Sequence, residues 1–257
     1  MMGQGCTATR ERVTRSGIFS ELRPDTRDAL MSMCLLRRFR AGQTVLQENE
    51  AADVVGLVVS GVLRMQKTLA DGRQHIVGLL VEGDVFGRVF GGPTGYSVEA
   101  AVDAEYCSFA RAPFESLLMR SPDLDRAVLL NVLDELDRAR EWMVILSNQK
   151  IANRVAGFLN LMCARFSAVG DVLAPAGEGV EVRIPISRTD LSHLLGTRPE
   201  SISRALHRLQ DLGDIEILDP GRILVRDRQA LAERAGEEEC ECVPDALGGM
   251  SRGLRAG

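Results

Sequence analysis

The sequence predicts an α+β chain of two domains: a small β-barrel or sandwich, then a helix-turn-helix with a two-stranded wing, joined by a long helix. Three observations carry that expectation. Residues 37–110 run as short β-branched stretches between glycine-marked turns, residues 122–166 repeat apolar side chains at helical spacing, and residues 187–213 form a polar-faced helical hairpin. A length of 257 residues suits two domains of ordinary size.

Composition narrows the class. Hydrophobic residues at 45% and charged residues at 26% are globular values, and aromatic residues at 4% make the expected core aliphatic. The start, "MMGQGCTATRERVTRSG", offers no apolar run for a signal peptide, and no stretch reaches the ~18 apolar residues of a membrane span. A cytoplasmic protein without membrane contact is expected. Six scattered cysteines (Cys6, Cys34, Cys107, Cys163, Cys240 and Cys242) argue against a disulfide scaffold and are expected to be reduced thiols. A net charge of -5 excludes indiscriminate polyanion binding, so any contact with nucleic acid must be local.

In chain order, "SGIFSELRPDTRDALMSM" reads as an amphipathic helix in which Ser20 can cap the first turn and Ile18, Leu22, Leu30 and Met33 are apolar. The runs "QTVLQE", "VVGLVVSGVLRMQKT", "QHIVGLLVEGDVFG" and "YSVEAAVDAEYCSFA" then read as strands, separated by turns such as "RAGQ", "ADGR" and "GGPTG". From Pro122 the pattern is helical. Leu129, Val132, Leu136, Ala139, Met143 and Leu146 recur at alternating spacings of three and four, which gives one apolar stripe. Spacing alone leaves two readings open: a helix packed on its own barrel, or a dimer seam. A hinge near Ser147 to Gln149 precedes a second helix, and "AVGDVLAPAGEGVEVRIPI" reads as a loop with one strand. After the hairpin, "GDIEILDPGRILVRD" is a wing turning at Asp219, Pro220 and Gly221. The tail from Gly236 has no period and is expected to be disordered.

The hairpin is the most informative stretch. Asp190, Leu191, Leu194 and Leu195 form a short amphipathic helix, Gly196 makes the turn, and Pro199 suits the first turn of the next helix. Ile202, Leu206 and Leu209 line the buried face of that second helix, leaving Glu200, Ser203, Arg204, His207 and Arg208 on the other. Such a helix can lie in a major groove. Arg204 can donate two bonds to a guanine edge, Glu200 can accept from cytosine or adenine amino groups, and Ser203 can contact either kind of base. Ser187, Arg188, Thr189 and Ser201 are candidate phosphate contacts, which set register without reading sequence. The bland alternative is a helical hairpin with a solvated charged face, and the adjoining wing argues against it.

From about residue 18 to 235 the chain resembles the CRP/FNR family of bacterial transcription regulators. "RAGQTVLQENEAAD", "VVSGVLRMQKTLADGRQHIVGLLVEGDVFG" and "LGTRPESISRALHRLQDLG" carry the resemblance in order. It implies a cyclic-nucleotide-binding-like β-barrel, a long dimerisation helix and a C-terminal winged helix-turn-helix. The implied organisation is an extension over 1–17, a sensor-like barrel over 18–121, a dimerisation helix over 122–148, a DNA-binding domain over 149–235 and a tail over 236–257. The stripe from Leu129 to Leu146 thereby becomes a homodimer seam, and RNA polymerase becomes an implied partner. The pattern Glu200-x-x-Ser203-Arg204 is similar to the FNR and FixK branch, which implies inverted TTGA half-sites and a place in oxygen- or redox-related gene control.

The signal is harder to read. By resemblance, the positions that hold cAMP in cAMP-dependent members fall on Arg88, Tyr96 and Ser97, where an arginine replaces an acid and a tyrosine replaces a cation. A phosphate would lose its main charge partner, so cAMP is not expected. Cys107, in "EYCSF", falls where the FNR branch places a fourth iron–sulfur ligand, but the N-terminal segment supplies only Cys6, and such centres need four ligands in most cases. An iron–sulfur cluster is thus an alternative without support, and Cys107 is expected as a buried strand thiol. Cys240 and Cys242 have acidic neighbours that disfavour thiolates. The three histidines, His75, His193 and His207, support haem weakly. FixK-like members resemble this chain in lacking the N-terminal cysteines, and the redox-sensitive thiol of some of them falls here on Ser187. No cofactor is expected. The readings that compete with a constitutively competent regulator are one that needs an effector, and a module whose hairpin binds protein. No catalytic motif points to an enzyme.

Overall fold

The computed structural model describes residues 21–50, 53–70, 72, 74–166, 172–177 and 179–236. Ser20, Ile18, the extension at 1–17 and the tail from 237 lie outside the described residues, as do Cys6, Cys240 and Cys242. The first helix, α1 (Pro24–Met33), starts four residues after Ser20, with Arg23 at its N-cap and Pro24 in the first turn. Proline fits there because its missing N–H would have no helical acceptor.

Among the described residues the N-terminal half has eight strands: β1 (Leu35–Phe39), β2 (Thr44–Leu46), β3 (Val54–Ser60), β4 (Leu63–Thr68), β5 (Gln74–Leu80), β6 (Val85–Gly87), β7 (Ser97–Ala100) and β8 (Ala104–Ala110). They form two antiparallel four-stranded sheets, in the orders β1-β8-β3-β6 and β2-β7-β4-β5. Among the described residues, hydrogen bonds do not join the two sheets into one closed barrel. β3 shows why the sequence folds so. Val55, Leu57 and Val59 point into a cluster with Leu30, Phe109, Phe114 and Leu124, while Val58 points into the space between the sheets with Leu63, Leu80, Phe86 and Val98. A strand buried on both faces needs apolar residues at every position, which is the run "VVGLVVS". Gly56 interrupts it because the Phe86 ring occupies the place of its side chain: a Cβ there would lie 2.2 Å from the ring.

A short helix, α2 (Arg111–Leu118), leads into α3 (Pro122–Ser147), and α4 (Ile151–Arg165) follows after a break at residues 148–150. The stripe on α3 does not pack on its own domain. Leu129, Val132 and Met143 are 57%, 54% and 62% exposed, Leu136, Ala139 and Leu146 are also exposed, and only Leu124, Ala127, Asn131 and Ile145 are buried. Arg138 on the inner face reaches Asp84 at 3.0 Å in a largely buried pair. Burial pushes the Asp84 carboxyl up, and the Arg138 charge opposes that shift.

The C-terminal half consists of β9 (Leu173–Ala176), β10 (Gly179–Arg183), α5 (Arg188–Leu194), α6 (Pro199–Asp211), β11 (Ile215–Asp219), β12 (Arg222–Val225) and α7 (Arg228–Ala235). The loop expected before the hairpin holds two strands, and the wing extends into a four-stranded sheet of order β11-β12-β10-β9. β9 carries Pro175 opposite Val180, which its edge position tolerates. Asp219 shapes the wing turn by accepting from the N–H groups of Gly221 and Arg222, each at 2.8 Å. Among the described residues no helix is long and apolar enough to cross a membrane.

The expectation that all six cysteines are thiols is overturned for two of them. Cys34, directly after α1, and Cys107 on β8 form a disulfide, with Cα atoms 5.5 Å apart. Antiparallel pairing of β1 with β8 sets Leu36 opposite Cys107 and so brings the two residues within bridging range. Cys163 is free and buried.

Gly56→Ala should force Phe86 from a site with no room to yield and cost about 1–3 kcal/mol of stability. A urea midpoint equal to that of the parent protein would contradict this packing.

Candidate DNA-reading surface

α5 and α6 cross at a turn that local chemistry specifies. Ser187 caps α5: its Oγ accepts from Asp190 N–H at 3.0 Å, and Asp190 accepts from the Ser187 N–H at 3.3 Å, a capping box. The Ser187 hydroxyl also donates to Asp190 Oδ2 at 2.8 Å. Gly196 takes a positive φ of 61° at the turn, a conformation that glycine adopts without strain. Arg154 on α4 holds this corner, donating to the carbonyls of Leu195 at 2.9 Å and of Asn148 at 2.7 Å. The turn of the hairpin is thereby tied to the break between α3 and α4.

Ile202, Ala205, Leu206 and Leu209 bury one side of α6, and Glu200, Ser203, Arg204, His207 and Arg208 are exposed on the other. Spacings of three and four put these polar groups on one face. Among the described residues their local bonds are few, and those of Ser203 and Arg204 are long. Arg204 Nη2 reaches Ser201 Oγ at 3.4 Å, Ser203 Oγ donates to the Pro199 carbonyl at 3.3 Å, and His207 Nδ1 lies 2.8 Å from the Ser203 carbonyl oxygen. The Arg204 guanidinium is therefore free to turn its paired donors toward an acceptor edge. Beside it lies a cleft of about 710 Å3 whose lining includes Lys150, Asn153, Ser201, Arg204, Arg208 and Arg234. Arg234 is ion-paired with Asp214, which leaves Lys150, Arg204 and Arg208 as the cations facing outward. A chain with a net charge of -5 thus carries a locally basic face.

The four expected phosphate contacts are placed unequally. Thr189 is exposed and Ser201 is half-buried. The Ser187 hydroxyl is committed to the cap. Arg188 is half-buried, its Nη1 is buried without a partner among the described residues, and burial holds its pKa below the usual arginine value. Sequence reasoning missed Lys150, at the N-cap of α4, and Arg154, on α4. It also missed Arg64, which bridges Glu99 at 2.6 Å and Asp190 at 2.7 Å and fastens α5 to the sheet of β4 and β7. His75 on β5 and His193 on α5 face each other with ring centroids 6.1 Å apart.

In the N-terminal half, Arg88 is exposed and reaches the Pro93 carbonyl at 3.4 Å. Burial, with a smaller effect of the Glu135 charge, pushes the Tyr96 phenol up to about 12. Ser97 Oγ accepts from the Glu48 N–H at 2.9 Å. For an iron–sulfur cluster, Cys107 is joined to Cys34, and among the described residues no three His, Cys, Asp or Glu side chains gather in a metal-binding group.

A two-sheet domain ahead of a winged helix-turn-helix with an exposed polar reading face defines a DNA-binding transcriptional regulator. The family model for the cyclic nucleotide-binding domain matches residues 36–121, and the one for the Crp-like helix-turn-helix domain matches residues 153–234. The chain is 33% identical to the transcriptional activator protein FnrL of Cereibacter sphaeroides, over 79% of this chain and 81% of that protein. It is 34% identical to the nitrogen fixation regulation protein FixK of Bradyrhizobium diazoefficiens, over 72% and 78% of the two chains. The solved structure of FixK2 from Bradyrhizobium japonicum superposes with a TM-score of 0.68 at 31% identity, covering 78% of this chain and 96% of that one. The chain belongs to the CRP/FNR family of transcriptional regulators and is of the FNR/FixK type, a family whose members are generally not enzymes.

Arg154→Ala should strip the hairpin corner of its charged donor and lower stability by about 2 kcal/mol. Chemical denaturation of the variant beside the parent checks this, and an unchanged midpoint would show that the corner holds without it.

Proposed function

We propose that the chain is a cytoplasmic homodimeric regulator that recognises inverted TTGA half-sites and acts with RNA polymerase in oxygen- or redox-related gene control. The observation that carries DNA reading is the exposed Glu200, Ser203 and Arg204 face on a helix whose other side is buried. In this reading Glu200, Ser203 and Arg204 contact bases, while Arg188, Thr189 and Ser201 meet phosphates and Ser187, expected as a fourth contact, has its hydroxyl held in the cap and serves by placing them at the start of α5. The half-site sequence, the polymerase partner and the oxygen theme rest on family resemblance. A dimer is supported by the exposed stripe of Leu129, Val132, Leu136, Ala139, Met143 and Leu146, since a contiguous apolar face of this kind marks an interaction surface. Two such helices packed along their stripes would present two reading helices to the two halves of an inverted repeat. The surroundings of Tyr96 and the pairing of Cys107 with Cys34 support activity without cAMP and without an iron–sulfur cluster.

Fluorescence anisotropy of the full chain, purified in air without ligand, tests this on an inverted TTGA repeat beside a TGTGA repeat and scrambled DNA. Selective TTGA binding is expected, weakening steeply as salt rises. Binding only after anaerobic loading with iron and sulfide would overturn cofactor-free activity, and no salt-dependent binding under either condition would overturn DNA reading.

Arg204→Ala should weaken the cognate site by about 1–3 kcal/mol and relax discrimination at one base position. Arg188→Ala should weaken cognate and scrambled DNA alike and reduce the salt slope by about one. Equal losses on both DNAs from Arg204→Ala would count against direct readout. Leu136→Arg should shift the protein to monomers in sedimentation, and a persistent dimer would place the seam elsewhere.

A further inference from the structure

The Cys34–Cys107 disulfide lies at one end of a mechanical connection to α3. Cys34 closes the C-terminus of α1, its N–H donating to the Met31 carbonyl at 3.3 Å. At the other end of α1, the Arg23 N–H and the Thr26 hydroxyl donate to the Asp123 carboxylate at 2.9 and 3.1 Å. Asp123 belongs to the first turn of α3. Between these ends, Leu30 packs in one cluster with Leu117, Leu118, Leu124 and Ala127. α1 is thus joined covalently to β8 at one end and by hydrogen bonds to the start of α3 at the other. The two residues also differ in access: Cys107 is fully buried while Cys34 is partly exposed.

We propose that Cys34 and Cys107 form a reversible dithiol–disulfide pair whose redox state sets how firmly α1 holds the first turns of α3. The proposal rests on the reading of the chain as an intracellular regulator with α3 as its dimer helix. In a reducing compartment thiols stay reduced unless an oxidant reaches them, so a disulfide there reports oxidation. Peroxide is a sufficient oxidant. The Cys34 thiol reduces hydrogen peroxide to water and becomes a sulfenic acid, and the Cys107 thiol then displaces its hydroxyl as a second water, closing the S–S bond. Two electrons pass from the sulfur pair to peroxide. A small dithiol returns them by attacking the accessible Cys34 sulfur, releasing the Cys107 thiol and ending as its own disulfide. When the bond is open, α1 is held without a covalent link, by apolar packing and by the hydrogen bonds and the Arg23 ion pair to Asp123. When it is closed, α1 cannot leave β8, and its grip on Asp123 tightens.

The test uses the full chain, reduced with a dithiol and then treated with hydrogen peroxide, with a sample returned to dithiol. Non-reducing peptide mapping should yield a peptide pair joined through Cys34 and Cys107 after peroxide, and it should disappear on re-reduction. Amide hydrogen exchange across residues 122–133 should be about tenfold slower in the oxidised protein. Cys34→Ser should exchange at the reduced rate under both conditions, and Cys107→Ser provides the same control if the first variant folds poorly. Failure to find the joined peptides would overturn the proposal, as would equal exchange rates in the two states of the unmutated chain. Neither readout involves DNA or dimerisation, so failure of the DNA titration or of the sedimentation experiment is seen separately.

Discussion

Burial of one face of α4 is the constraint on which the rest of the molecule depends. Val155, Phe158, Leu159 and Met162 are almost completely removed from solvent, and each contributes roughly 1.5–3 kcal/mol by that burial. Their cluster takes in Ile202, Leu206 and Leu209 from behind the reading helix, Leu231 from α7, and, from the N-terminal half, Ile76 on β5 with Val62 and Val81 from the turns beside β4 and β5. Trp142 of α3 lies 6.2 Å from the Phe158 ring, so the long helix enters the same cluster. One continuous apolar core therefore fixes where the reading helix sits relative to both the N-terminal half and α3.

Polar groups then select among the arrangements that apolar burial alone would tolerate. Arg64 joins Glu99 to Asp190, and the same Asp190 completes the cap of α5, so the helix cap and the attachment between halves share one carboxylate. Asp84 and Arg138 do the same for α3 and the sheets. Such pairs add little net stability once desolvation is counted, yet breaking one is costly because it strands a buried charge. Their effect is on geometry: rotation of α5 away from the sheets would separate Arg64 from Asp190. That coupling is what a regulator needs if a change in its N-terminal half is to reach its DNA-binding half.

Elements that bury a single regular face were legible from spacing, and elements that depend on distant residues were not. Ile202, Leu206 and Leu209 recur at four and three, and the helix they imply is present with those residues inside. The short helix α2 spans only Arg111–Leu118, too few turns for periodicity to stand out beside a strand. β9 was hidden by Pro175, which reads as a loop signal and is tolerated only because the strand lies at a sheet edge. Of the reading surface, Glu200, Ser203 and Arg204 were visible because they share a helix, whereas Lys150 and Arg154 come from 50 residues earlier and reach it through folding.

By itself the sequence determined the long helices, the two faces of α6 and the apolar stripe of α3, since each follows from side-chain period within one segment, while α2 and β9 escaped it. Only the tertiary structure decided which way that stripe faces. Periodicity could not separate a helix packed on its own domain from one left open to a partner, and the structure leaves Leu129, Val132 and Leu136 uncovered. The tertiary structure also decided the state of Cys34 and Cys107. They lie 73 residues apart in the chain, and the pairing of β1 with β8 that joins them is a long-range register that no local pattern encodes.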